Sequence, residues 1–202
     1  MRLLTSSVTA VVLSAFSPLF SYADHLQTGV YLSGESLATT KSKDEGIGTQ
    51  LKTFGADLHK TIPLNSTFDR YFTLGIGLTG GDDKKPFVQG VQQGSGGTVF
   101  YEESSIFGAS IFGDIGLAKS LSANSMAFLG VGSNYSYLKR EISDCSGCES
   151  EKINLALAPY IKLGANFCGK RSCLDISYRY FITDDYINGV SLSWRMIRQH
   201  RH

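Results

Sequence analysis

Bulky apolar residues alternate with small or polar ones through most of this chain, and a period of two is the mark of a half-buried β-strand. In 72–78, Phe72, Leu74, Ile76 and Leu78 are separated by Thr73, Gly75 and Gly77. In 107–117 one face is mostly apolar and the other carries Ser110 and Asp114. The pattern returns in 127–137, in 153–164, where Ile153, Leu155, Leu157, Pro159, Ile161 and Leu163 share a face, and in the pair 174–181 and 190–196. Two weaker segments, 26–33 and 49–59, precede these. No stretch after residue 23 reaches the roughly 18 apolar residues of a spanning helix, so any membrane crossing there must use strands.

The start of the chain has a different layout. Arg2 is followed by an apolar run over 3–20 and then Ser21, Tyr22 and Ala23, which predicts a cleavable signal peptide over 1–23 and a single exported domain over 24–202. With 22 Gly, 10 Tyr and 12 Phe against 4 Pro, the balance suits strands, and a net charge of +1 gives no reason to expect nucleic acid as a partner. The hydrophobic share of 42% looks low for a membrane protein, but a spanning barrel needs apolar residues on one face only. Counting the alternating segments predicts an all-β fold, an eight-stranded antiparallel up-and-down transmembrane β-barrel of a Gram-negative outer membrane.

The face opposite the bulky residues is mainly Gly, Ala, Ser and Asn with isolated charges, as a narrow polar lumen requires and a water-soluble barrel does not. The alternation points Asp114, Lys162, Asp175, Arg179 and Arg195 inward, together with Glu35 and Asp57, and predicts a salt-bridged network that plugs the lumen. Phe72, Tyr135, Tyr137, Tyr178, Tyr180 and Trp194 fall toward strand ends on the outward face, where they would form aromatic girdles. Short connections near 63–66, 120–124 and 169–172 belong on the periplasmic side. The longer, polar ones near 34–47, 79–104 and 141–152 belong outside, with a short fourth loop at 183–188.

Cys145, Cys148, Cys168 and Cys173 have a spacing that superficially suggests zinc, but an exported chain meets an oxidising compartment. A strand over 152–167 would hold the two pairs tens of ångströms apart, so the expected disulfides are Cys145–Cys148 and Cys168–Cys173. Gly75, Gly77 and Gly80 match a dinucleotide fingerprint by letter, yet no helix follows to receive a pyrophosphate, and lumen-facing glycines explain them better. The histidines are His25, His59, His200 and His202, none in an outer loop, so no histidine is placed for lipid-directed hydrolysis. No catalytic residue, cofactor or metal is expected.

The closing segments, 176–180 and 188–195, resemble the last hairpin of the outer-membrane β-barrel family that includes the OmpA transmembrane domain, the Ail-type adhesins and the opacity proteins. The likeness implies a monomer inserted by the barrel-assembly machinery into outer-membrane lipid and lipopolysaccharide, with adhesion, serum resistance or envelope stability carried by variable outer loops. Such barrels usually end on an aromatic residue. Here Met196 and Ile197 are followed by a basic tail, so either Leu192, Trp194 and Met196 act as an internal assembly signal or assembly differs. The function expected is a non-enzymatic surface protein whose loops contact a host or cell-surface ligand. A lipid A-modifying enzyme and a small pore of porin type are the alternatives.

Overall fold

The computed structural model of the chain describes residues 26–196 apart from 86, 93–95, 143, 144 and 146. Its elements, in chain order, are β1 (Leu26–Leu37), α1 (Thr39–Glu45), β2 (Ile47–Pro63), β3 (Asp69–Asp83), β4 (Gln89–Gln92), β5 (Thr98–Tyr101), β6 (Ser104–Ser122), β7 (Ser125–Ile142), β8 (Glu151–Ile153), β9 (Ala158–Cys168), β10 (Ser172–Phe181) and β11 (Tyr186–Met196). Strands β1, β2, β3, β6, β7, β9, β10 and β11 pair antiparallel in that order, and β11 pairs back onto β1. The result is a closed eight-stranded barrel. Closure satisfies the ladder groups of every strand, which an open sheet in hydrocarbon could not do. The expected signal peptide and the tail beyond Met196 lie outside the described residues.

Alternation sorts the side chains as the pleat dictates. Val30, Phe54, Ile76, Ile111, Val131, Ile161, Ile176 and Leu192, one from each barrel strand, are all exposed on the outside. Between them the small inward residues make room for rings. A side chain at Gly77 would meet the Tyr31 hydroxyl, one at Gly75 the Phe112 ring, and one at Gly130 the Tyr71 hydroxyl. Gly75 and Gly77 thus belong to the packing of a filled interior, whereas Gly80 has the outward parity of Ile76 and Leu78.

Short turns close one end, here called the inner end. In the β2–β3 turn the Asn65 carboxamide oxygen accepts from the Thr67 and Phe68 backbone N–H groups, both at 2.8 Å, an Asx turn. At the outer end, α1 fills the β1–β2 connection and ends at Gly46, whose φ of 64° suits glycine. The β4–β5 hairpin rises from the next connection.

Two sequence expectations change here. Strand β3 runs to Asp83, so the loop expected from residue 79 starts later. The strand expected over 152–167 is interrupted: β8 stops at Ile153 and β9 starts at Ala158. On β7, Asn134 faces Ala158 and Leu138 faces Ile153, so four steps on one strand oppose five on the other. One extra residue reverses the facing of everything beyond it. Ile153 and Leu155 therefore turn inward and are buried, while Pro159, Ile161 and Leu163 face out.

Candidate functional site

The barrel interior is built from charges that the strands deliver singly, most of them beside apolar outward neighbours. On β6, Asp114 accepts from the Lys162 ammonium of β9 at 3.2 and 3.3 Å and from the Tyr160 hydroxyl at 3.1 Å. The same ammonium lies 5.1 Å from the Phe128 ring centroid. Arg195 of β11 donates to Asp57 through Nε and Nη2, at 3.1 and 2.8 Å, and to Asp175 through Nη1 at 3.0 Å. The Ser193 hydroxyl donates to Asp57 at 2.8 Å. Arg179 pairs with Glu35 at 3.5 Å and is gripped by ring faces, its guanidinium carbon 4.3 Å from the Phe112 centroid and 5.1 Å from that of Tyr160. These side chains are all nearly solvent-free. An unpaired charge in such surroundings costs several kcal/mol, and pairing with aromatic packing is what offsets it.

The structure thus brings together every charge named for the lumen from the sequence, as three neighbouring sets rather than one continuous network. Glu35 and Asp57 are necessary members, since each holds an arginine. Hydroxyls supply a second layer. Thr53, Thr79, Ser110 and Ser136, on β2, β3, β6 and β7, link at 2.8, 2.5 and 2.7 Å, and Ser177 meets Ser191 at 2.6 Å across β10 and β11. Toward the inner end His59 is buried, shares hydrogen bonds with Thr73 and Thr61, and stacks on Tyr71. It is a packed interior group whose two ring nitrogens are both taken up by threonine hydroxyls.

The outer mouth is closed differently. Leu37, Ile47, Leu51, Ile106, Leu138, Ile153, Leu155, Phe181 and Tyr186 form an apolar cluster there. Above it Arg140 of β7, with none of its side chain exposed, joins three connections. Its Nε donates to Asp83 at 2.8 Å, Nη1 to Glu151 at 2.6 Å, and Nη2 to the Glu45 and Gly46 carbonyls at 2.7 and 3.0 Å. Lys85 reaches Glu151 at 2.9 Å, and Ser104 donates to Asp83. Lys85, with Arg140, holds the Glu151 carboxyl below the usual carboxylate range. Burial would raise that of Asp83, but hydrogen bonds from Arg140, Ser104 and the Lys85 backbone outweigh it and hold it low as well. Asp185, from the fourth connection, accepts from the Ala156 N–H at 2.6 Å and pairs with Lys41 at 3.6 Å. The sequence reading missed Arg140 and Glu151. The only available signal was Arg140's inward parity on the strand that carries Asn134 and Ser136.

The girdle residues divide between the two ends. Tyr135, Tyr137, Tyr178 and Tyr180 are exposed toward the outer ends of β7 and β10, and Trp194 is exposed near the inner end of β11. Phe72 is half-buried near the inner end of β3. The cysteines lie as two disulfides, Cys145–Cys148 in the third outer connection and Cys168–Cys173 across the inner ends of β9 and β10. No group of three His, Cys, Asp or Glu able to hold a metal ion occurs among the described residues.

Solved outer-membrane barrels share this architecture. Ail, the attachment invasion locus protein of Yersinia pestis, matches with a TM-score of 0.53 at 14% identity, over 87% of this chain and 97% of that one. Neisserial surface protein A matches with a TM-score of 0.50 at 10% identity, over 87% of this chain and 98% of that one. At such identities the likeness is one of fold, the eight-stranded antiparallel barrel. No family model matches the sequence, and neither does any curated protein.

Proposed function

We propose that the chain is a non-enzymatic integral protein of a Gram-negative outer membrane, with a plugged lumen and outer connections that serve as a contact surface. One observation carries this reading. A closed barrel exposes an apolar residue from every strand while burying its charges within, an inversion that water would penalise and a bilayer would not. The plug is supported by the three ion-paired sets and by the apolar cluster at the outer mouth, since eight strands enclose little more than their own side chains.

The contact role is supported by how the outer connections are held. Arg140 and Asp185 tie them into one braced rim, and such rims present loops at little entropic cost. The residues left outward include Lys43 and Asp44 on α1, and Val88, Val99 and Phe100 on or beside the β4–β5 hairpin. Attachment is what the Yersinia pestis protein is named for. For this chain the proposed partners are outer-membrane lipid and lipopolysaccharide around the barrel, the barrel-assembly machinery during export, and a host or cell-surface ligand at the rim, bound by a monomer.

The test is gel migration of the purified chain in detergent with and without boiling, beside far-ultraviolet circular dichroism and single-channel recording. A faster unboiled band, a β spectrum and no steady conductance are expected. Protein that stays soluble without detergent and runs as one band would overturn the membrane reading, and a steady ohmic current would overturn the plug.

A further inference from the structure

On the outside of the barrel, at the top of the exposed apolar face, two lysines stand directly opposite each other. Lys139 of β7 pairs in register with Lys152 of β8. Both ammonium groups gather over one ring, at 5.8 and 5.5 Å from the Tyr137 centroid. Among the described residues neither lysine forms an ion pair with a carboxylate. Like charges facing across a ladder repel, and a sheet does not gain from placing them so. Glu141, two residues further along the same face of β7, forms no ion pair with either among the described residues.

Their height on the barrel is set by their neighbours. Outward residues on β7 run Leu129, Val131, Ser133, Tyr135, Tyr137 and then Lys139, the first charge above that apolar stretch. Amphipathic rings followed by lysines mark the boundary between acyl chains and headgroups. Beside Lys152 lies a cavity of about 330 Å³ lined by Tyr135, Lys41, Asp185 and residues 153–156. It opens where the chain leaves the sheet between β8 and β9, so the extra residue that turns Ile153 inward also makes this recess. Asp185 at its far wall is occupied by Lys41 and the Ala156 N–H.

We infer that Lys139, Lys152 and the adjoining recess form a seat for a phosphorylated lipid headgroup of the outer leaflet. A phosphate monoester placed between the two ammonium groups would turn a repulsive pair into two charge-assisted contacts. Its acyl chains would continue down the exposed Tyr135, Val131 and Leu129 face. This rests on the membrane-barrel reading above.

The experiment is thermal unfolding of the wild-type full chain, the Lys139→Gln/Lys152→Gln variant and a Lys52→Gln control, followed by the unboiled gel band. Each is heated in a neutral maltoside detergent alone, with phosphatidic acid, and with inorganic phosphate. Lys52 faces outward near the outer end of β2, away from the recess. In detergent alone the double variant should unfold at a higher temperature than wild type, because the repulsion is gone. With phosphatidic acid the order should reverse, and the variant should bind that lipid roughly 30-fold more weakly, two lysines at the usual strength of a basic residue near a charged surface. Lys52→Gln should follow wild type throughout. Phosphatidic acid protecting wild type and double variant equally would overturn the site alone. Inorganic phosphate protecting as well as the lipid would overturn the headgroup assignment. Absence of any heat-modifiable band from the wild type would overturn the barrel reading and the site with it.

Discussion

Arg140 Nη1 donates to Glu151 Oε2 at 2.6 Å at the outer mouth of the barrel, between register partners at the end of β7 and the start of β8. The same guanidinium also holds Asp83 and the carbonyls at the end of α1, so one side chain fixes the relative positions of three outer connections. Arg140→Ala leaves two carboxylates and two carbonyls without their shared donor. The expected cost is about 2 kcal/mol, that of hydrogen bonds to charged groups at a part-buried site where Glu151 still keeps Lys85. Limited proteolysis should cut the outer connections faster while the unboiled band persists, because the eight-stranded ladder is untouched. Unchanged proteolysis would refute the bracing role.

The pH dependence of that rim follows from the same contacts. Glu151 and Asp83 have carboxyls held below their usual range, so in the unfolded chain each binds a proton more readily than in the folded one. Their contribution is complete above the unfolded carboxylate pKa values, about 3.9 for Asp and 4.3 for Glu, and is lost as pH falls through the lower folded values. Amide exchange at Gly46 and Lys84 should therefore stay slow at mildly acidic pH and quicken only below that range. Quickening near pH 6 would point to some other group.

Within the lumen, Asp57 takes three donors, Arg195 Nε and Nη2 and the Ser193 hydroxyl. Asp57→Ala should destabilise by about 3 kcal/mol, since Arg195 then keeps only Asp175 in a site with no water-like screening. Arg195→Met in the same chain should recover part of that loss, because it removes the stranded cation. A double-mutant cycle on unfolding in urea reads the coupling, and strictly additive effects would show that the pair is not a unit.

The Cys168–Cys173 bridge joins residues that already face each other across β9 and β10. It closes a very short loop, so its entropic contribution is limited to about 2 kcal/mol. Cys168→Ser/Cys173→Ser should lower the melting point of the unboiled band modestly and leave assembly intact. A variant that fails to assemble would give the bridge a role in insertion that its position does not suggest.

The parts of this fold that were legible are those where one residue settles the matter locally. A single Asp114 or Lys162 among apolar neighbours can only face inward, and Phe72, Leu74, Ile76 and Leu78 can only share the other face. The outer rim was less legible for three physical reasons. Helix α1 has seven residues and no apolar stripe, so nothing in 39–45 sets it apart from a polar loop. Arg140 lies between Lys139 and Glu141, where charge on both faces hides parity. The alternation of Ile153, Leu155 and Leu157 continues unbroken into Pro159 and Ile161, and only pairing with β7 reveals that the first two residues face the other way.

That extra residue between β8 and β9 makes the last prediction. Deleting Ala156 makes the spacing from Ile153 to Ala158 four steps, equal to the spacing from Asn134 to Leu138 on β7. A continuous strand then keeps Ile153 opposite Leu138 and still facing inward, so the apolar cluster at the outer mouth survives. The Asp185 contact to the Ala156 N–H is lost, at about 1 to 2 kcal/mol for a hydrogen bond to a charged group. The unboiled band should therefore remain, with a small drop in melting temperature. The recess beside Lys152 should close, and with it most of the protection by phosphatidic acid, although both lysines are still present. A deletion variant that no longer forms the unboiled band would show that residues 154–157 are needed for the barrel itself. One that folds and keeps full lipid protection would show that the lysine pair acts without the recess.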